Sequence, residues 1–144
     1  GMALVYQASG LYDLALGELE RGALLQPGRP PVAMAVARTA IQLDRLEIAE
    51  AWIELALKYE PHGPKVMAES ALFFSEIGRP ERARALLDDF EKLGFPGSSH
   101  SSPWIMVEKA YRRLGVENRA ERAATCWGVG GVNIPEDCRV SGRD

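Results

Sequence analysis

The sequence has little cysteine and no excess of positive charge, and each shortage excludes a class of protein. Its two cysteines both lie in the last twenty of 144 residues, so they cannot cross-link the body of the fold. The formal net charge of −3 argues against a nucleic-acid-binding domain, which normally carries a basic excess. No apolar run approaches the roughly 18 residues that span a bilayer, and no signal peptide is visible. We therefore expect a cytoplasmic protein with neither a membrane segment nor a nucleic-acid partner.

The composition is that of an ordinary folded protein. Apolar residues make up 47% of the chain and charged residues 26%, which is typical of a soluble globular domain and not of a disordered one. The length fits a single domain. No stretch shows the alternation of apolar and polar residues that predicts a strand, so the fold class expected is all-α.

The chain repeats itself at an interval of 34 residues. Pro27 and Pro61 stand in similar loops, "LQPGRPP" and "YEPHGP", and apolar, small and turn residues recur around them. A fourth copy follows after three extra residues, which we place in the serine-rich loop "GSSHSS" because loops accept insertions at low cost. The recurring positions are Gly10, Asp44 and Gly78 at turns; Ala15, Ala49, Ala83 and Ala120 five residues later; and Trp104, Val107, Tyr111 and Gly115 in the fourth copy.

Each 34-residue unit is predicted to form two helices, because apolar residues recur at three-and-four spacing and a glycine, aspartate or proline ends each run. A helix–turn–helix unit with these residues resembles the tetratricopeptide repeat (TPR). We expect the recurring alanine, early in each second helix, to be buried where the two paired helices approach closely. The resemblance implies a right-handed superhelical solenoid over residues 2–127, with units at about 2–29, 30–63, 64–100 and 101–127 and an irregular tail at 128–144. The first unit is truncated: its first helix has about nine residues, Gly1–Ser9. We expect this to leave Leu11, Tyr12 and Leu14 thinly covered, favouring self-association or contact with upstream sequence.

Residues with catalytic or metal-binding chemistry are scarce. His62 and His100 are predicted to be solvated loop residues, and "GVGG" at 128–131 is predicted to end a helix and not to cradle a phosphate. The runs "DDFEK" and "ELER" are predicted to be solvated helix faces. Cys126 and Cys138 form either a disulfide or two free thiols, and the lack of a secretion signal favours free thiols. We expect no metal, no cofactor and no enzymatic activity.

The TPR resemblance implies a concave groove lined by the first helix of each unit. Lys109, Arg112 and Arg113 share one helix face, which suits an acidic or carboxylate-bearing partner; the alternative is a solvated terminal helix. Leu4 and Arg38 stand where TPR receptors of chaperone tails use asparagines to clamp a carboxylate, which argues against that subtype. The predicted groove consists of Met34, Arg38, Gln42, Lys65, Glu69, Leu72, Lys109, Arg112 and Arg113.

Three functions are compatible with this reading. The leading one is a non-catalytic protein-interaction module that binds a peptide or a partner helix in the groove. The alternative is a regulatory or terminal domain of a longer enzyme or membrane-bound transferase, suggested by the truncated first unit. A helical-repeat RNA binder is disfavoured by the acidic balance.

Overall fold

A computed structural model describes residues 2–26, 28–128, 134, 135 and 138, and their side chains apart from those of residues 2–10 and Tyr12. These residues form seven α-helices and no strand, which confirms the all-α prediction for this part of the chain. The chain divides into two compact units, residues 1–61 (unit 1) and 62–144 (unit 2). Most of the predicted tail at 128–144 lies outside the described residues.

Unit 1 contains α1 (Met2–Leu25), α2 (Pro30–Gln42) and α3 (Leu46–Tyr59). Helix α2 begins with two prolines, which fit a first turn because its N–H groups have no partner within the helix. It packs against both α1 and α3. The residues that α2 and α3 bury are spaced three and four apart, as expected for amphipathic helices. They are Ala33, Met34, Val36, Ala37 and Ala40 in α2, and Ala49, Trp52, Ile53, Ala56 and Leu57 in α3.

Unit 2 contains α4 (Pro64–Glu76), α5 (Pro80–Leu93), α6 (Ser102–Arg113) and α7 (Glu117–Cys126). Helix α4 packs against α5 and α6, and α6 packs against α7. The core of the unit is aromatic. The ring of Phe90 lies 4.9 Å from that of Trp104 in an edge-to-face arrangement and 4.8 Å from that of Phe95. Such pairs add to the burial energy of the rings themselves.

Three helix pairs share one turn geometry. Asp44, Gly78 and Gly115 have positive φ angles of 58°, 80° and 77°, and they follow α2, α4 and α6. In each case the next residue donates its backbone N–H to the carbonyl five residues earlier, over distances of 2.8, 2.8 and 2.9 Å. This bond is the mark of a Schellman helix end, which satisfies carbonyls left unpaired by the last turn. The turns recur 34 and 37 residues apart along the chain.

The turn predicted at Gly10 is absent. Helix α1 runs without a break through Gly10, so the prediction of a short first helix ending at Ser9 is wrong. A glycine inside a helix costs only about 1 kcal/mol relative to alanine, which flanking helical residues can offset. Ala49, Ala83 and Ala120 are fully buried where their helices begin, as predicted, whereas Ala15 is exposed because it lies in the middle of α1.

The end of α7 is bonded to the loop between α5 and α6. The backbone N–H groups of Ser98 and His100 donate to the carbonyls of Cys126 (3.0 Å) and Trp127 (3.1 Å). Cys126 and Cys138 form a disulfide with a Cα–Cα distance of 5.8 Å, so the expectation of free thiols is wrong. The sequence allows the chain after α7 to fold back towards Cys126, but it does not decide whether the two cysteines pair. Gly128 adopts a left-handed conformation there, and the rest of "GVGG" lies outside the described residues.

Candidate functional site

The candidate site in unit 2 is the solvent-facing side of α6. Trp104, Val107, Ala110 and Tyr111 are buried on the opposite side of this helix. At about 100° per residue, Ile105, Lys109 and Arg113 then share the outward side, and both cations are exposed. No ion pair or hydrogen bond joins the side chain of Lys109 or of Arg113 to another residue of the part that the structure describes. Their charges are therefore available to a ligand. We name Ile105, Lys109 and Arg113 the α6 face.

Arg112 is already paired within unit 2. Its Nε donates to Oε2 of Glu108 at 2.8 Å, and its Nη1 donates to Oε2 of Glu117 at 2.7 Å. The hydrogen bond to Glu108 raises the pKa of Arg112, so the guanidinium is firmly charged but its charge is matched by two carboxylates. The expectation that Arg112 joins Lys109 and Arg113 in binding an acidic partner thus meets a competing pair of internal acceptors.

Glu108 joins two elements of the unit. Besides accepting from Arg112, its Oε1 accepts a 2.7 Å hydrogen bond from the indole Nε1 of Trp127, just beyond α7. The resemblance to the TPR predicts a small residue at this position. A carboxylate fits here because both of its oxygens have donors, which offsets the cost of its partial burial.

Helix α4 supplies the neighbouring surface of unit 2. Lys65 and Glu76 are exposed and Leu72 is half-buried, and all three lie on one side of the helix. Glu69 lies on the same side, but it is only 6% exposed. Its predicted place on an open groove surface is wrong, because the carboxylate is enclosed among neighbouring residues. The described α4 surface is thus one cation, one anion and an apolar residue.

The predicted groove residues of unit 1 differ in accessibility. Arg38 and Gln42 are exposed on α2, whereas Met34 is only 2% exposed and belongs to the core. Met34 was assigned to a surface next to the buried side of α2. The structure buries it because α2 packs against helices on two sides, which widens the buried stripe beyond what a one-sided helix shows.

Unit 2 contains a buried cluster of charged side chains around Glu91 that the sequence analysis did not predict. Glu91, in the run "DDFEK", is almost fully buried, so its prediction as part of a solvated face is wrong. It accepts hydrogen bonds from Tyr111 and Arg119, and Nη1 of Arg122 lies 3.6 Å from its Oε1. The cluster links α5, α6 and α7. The spacing of Arg119 and Arg122, three residues apart and thus on one helix face, is the single sequence signal that points to it.

Other chemistry is sparse in the described part of the chain. His62 and His100 are exposed, as predicted. The described residues contain no cluster of three or more histidine, cysteine, aspartate or glutamate side chains arranged to hold a metal ion. Over the same residues, every helix is too short or too polar to cross a membrane.

Comparison of the chain with models of protein families, with curated proteins and with solved structures finds no match in any of the three. The functional argument therefore rests on the geometry above.

Proposed function

We propose that the chain is a non-catalytic, TPR-like protein-interaction module, and that the α6 face contributes to binding an acidic partner. The observation that carries the proposal is the recurrence of one helix–turn–helix geometry. Three helix pairs share a left-handed turn residue with the same backbone hydrogen bond, and a fully buried alanine follows five residues after each turn. Recurrence of this kind supports a repeat architecture, which commonly serves binding.

The electrostatics of the α6 face favour an acidic partner. Lys109 and Arg113 are two exposed cations without internal partners, on a protein whose net charge is −3. Ile105 lies beside them and adds an apolar contact. An apolar residue supplies burial energy on binding, while the charges steer association and set specificity. Arg112 then has a structural role, holding α6 to the start of α7 through Glu117.

The disulfide bears on where this module works. Disulfides persist mainly in oxidising compartments, and Cys126 and Cys138 are joined within unit 2. We therefore infer an oxidising compartment in place of the cytoplasmic location expected from the sequence. Thiol titration of the denatured protein, purified without reductant, tests this: two free thiols per chain would contradict the inference.

The binding proposal is tested with an array of synthetic peptides of graded acidity, probed with three proteins. The first is the parent, and the second is Lys109→Glu/Arg113→Glu. The third, the control, is Lys58→Glu/Lys92→Glu, which makes the same change in charge on exposed lysines of α3 and α5.

The α6 variant should lose affinity for acidic peptides by roughly 5- to 30-fold, since each exposed ion pair contributes up to about 1 kcal/mol. The control should bind as the parent does. Equal loss in both variants would attribute binding to net charge alone, and no loss in either would show that the α6 face is a solvated surface.

A further inference from the structure

The outward side of α1 carries exposed leucines in a regular row. Leu11 and Leu14 are each 67% exposed and Leu25 is 84% exposed, whereas Leu16 and Ala23 are buried on the other side of the helix. Helix α1 packs against α2 in unit 1. The expectation that Leu11 and Leu14 are poorly covered is therefore confirmed, and Tyr12 lies outside the described side chains. An exposed apolar row of this kind marks an interaction surface.

The row follows a seven-residue period. Leu11, Glu18 and Leu25 are spaced seven apart, and Leu14 and Arg21 are spaced seven apart between them. These are the a and d positions of a heptad, the arrangement by which one helix packs along another. We name these five residues the α1 seam. Gly22 adjoins the seam, and a methyl group added there would meet no atom of the described residues within 4 Å.

We propose that the α1 seam binds the α1 seam of a second copy of this chain in an antiparallel helix pair. In that orientation the a positions of one helix meet the d positions of the other. Leu14 then faces Leu25 of the second copy, and Glu18 faces Arg21 of the second copy. Each such contact occurs twice, related by a two-fold axis, which is the usual symmetry of a homodimer.

Charge selects this orientation and this partner. A parallel pair would place Glu18 against Glu18 and Arg21 against Arg21 of the second copy, and like charges in register are destabilising. The antiparallel pair replaces both repulsions with attractions. Glu18 and Arg21 already form an exposed ion pair within one helix, so both side chains lie on the seam side of α1 and can exchange partners between chains. The seam is thus complementary to itself.

This inference does not depend on the proposed peptide-binding function, because the α1 seam lies in unit 1 and the α6 face in unit 2. In the proposed pair, the two Glu18–Arg21 contacts lie between the two Leu14–Leu25 contacts. Because the charged contacts bury less apolar surface than leucines would, the dimer should dissociate reversibly. Light scattering at high protein concentration should give twice the chain mass of 15.8 kDa. A mass of one chain at high concentration would overturn the proposal.

Substitutions distinguish association through the α1 seam from non-specific association. Leu14→Glu/Leu25→Glu should reduce the mass to that of one chain, while Leu93→Glu, which changes an exposed leucine of α5, should leave the dimer intact. Glu18→Arg should also dissociate the dimer. Adding Arg21→Glu to it should restore the dimer, because the two charges are merely exchanged. A double variant that remains monomeric would contradict the antiparallel pairing.

Cross-linking tests the register directly. A Leu14→Cys chain mixed with a Leu25→Cys chain should form a disulfide-linked heterodimer under mild oxidation. Leu14→Cys alone should not cross-link, since the two copies of position 14 would be about 16 Å apart along an antiparallel pair, well beyond the roughly 7 Å limit for a disulfide. Efficient cross-linking of Leu14→Cys alone would show a parallel pair and overturn the proposed orientation.

Discussion

The phenolic hydroxyl of Tyr111 donates a 2.6 Å hydrogen bond to Oε2 of Glu91, and both side chains are buried in unit 2. The bond links α6 to α5, and Arg119 extends it to α7 by donating to the same carboxylate. Burying an unpaired carboxylate costs several kcal/mol, whereas Glu91 accepts two hydrogen bonds at Oε2 and has Nη1 of Arg122 3.6 Å from Oε1. The cluster therefore sets how three helices of unit 2 fit together.

Tyr111→Phe should destabilise the protein by about 1.5–3 kcal/mol, because it removes a hydrogen bond to a buried charged group. Urea unfolding followed by circular dichroism measures the change. Tyr59→Phe is the matched control, since Tyr59 is exposed and should tolerate the loss of its hydroxyl. Equal stability of the two variants would show that the hydrogen bond contributes little.

The same pair predicts sensitivity to alkali. Burial raises the pKa of Tyr111 above its usual value of about 10, and the hydrogen bond to Glu91 raises it further. Above pH about 10 the unfolded chain therefore releases a proton that the folded chain retains, and the free energy of unfolding falls as the pH rises. Tyr111→Phe should show a shallower decline than the parent, and Tyr59→Phe should follow the parent. Parallel declines in all three proteins would contradict this assignment.

Ala49→Leu should destabilise the protein by about 1–3 kcal/mol, because the position is fully buried and a larger side chain overpacks it. Ala51→Leu makes the same substitution at an exposed position of α3 and should be nearly neutral. Thermal unfolding of the two variants compares them. If the Ala49→Leu variant had the same melting temperature as the parent, the close contact inferred at the start of α3 would be wrong.

Cys138→Ser should lower the stability of unit 2 by about 2–3 kcal/mol, the contribution expected of a disulfide that closes a short loop. A reducing agent should destabilise the parent to a similar extent and leave the variant unchanged. A variant that still responded to the reducing agent would point to another cause. Unfolding in urea, with and without a dithiol, makes the comparison.

Gly97→Ala should destabilise the same region for a steric reason. A methyl group there would meet the backbone oxygen of Cys126, and it would lie 2.7 Å from Sγ of Cys138 and 2.9 Å from Cγ2 of Ile134. The expected cost is about 1–3 kcal/mol. Gly28→Ala is the control, since a methyl group at that turn has no neighbour within 4 Å. Thermal unfolding that ranks the two variants equally would refute close packing around the disulfide.

Local patterns predicted most of the helices of this protein. The left-handed residues after α2, α4 and α6 were predicted as turns because each acts within a few residues. Ala49, Ala83 and Ala120 were assigned to the core for the same reason: a small residue at a fixed place after a turn has one consistent environment. The candidate site was less predictable. Lys109 and Arg113 are exposed as expected, but the partners of Arg112 come from its own helix and from the start of the next.

The sequence by itself determined the helical class, the recurring turns and the buried alanines that follow them, since these follow from spacing and from the backbone preferences of proline and glycine. Only the tertiary structure decided that α1 continues through Gly10, that Met34, Glu69 and Glu91 are buried, and that Cys126 pairs with Cys138. Burial of a particular side chain depends on what packs over it, and that neighbour is brought close by distant parts of the chain. No local pattern specifies such a contact.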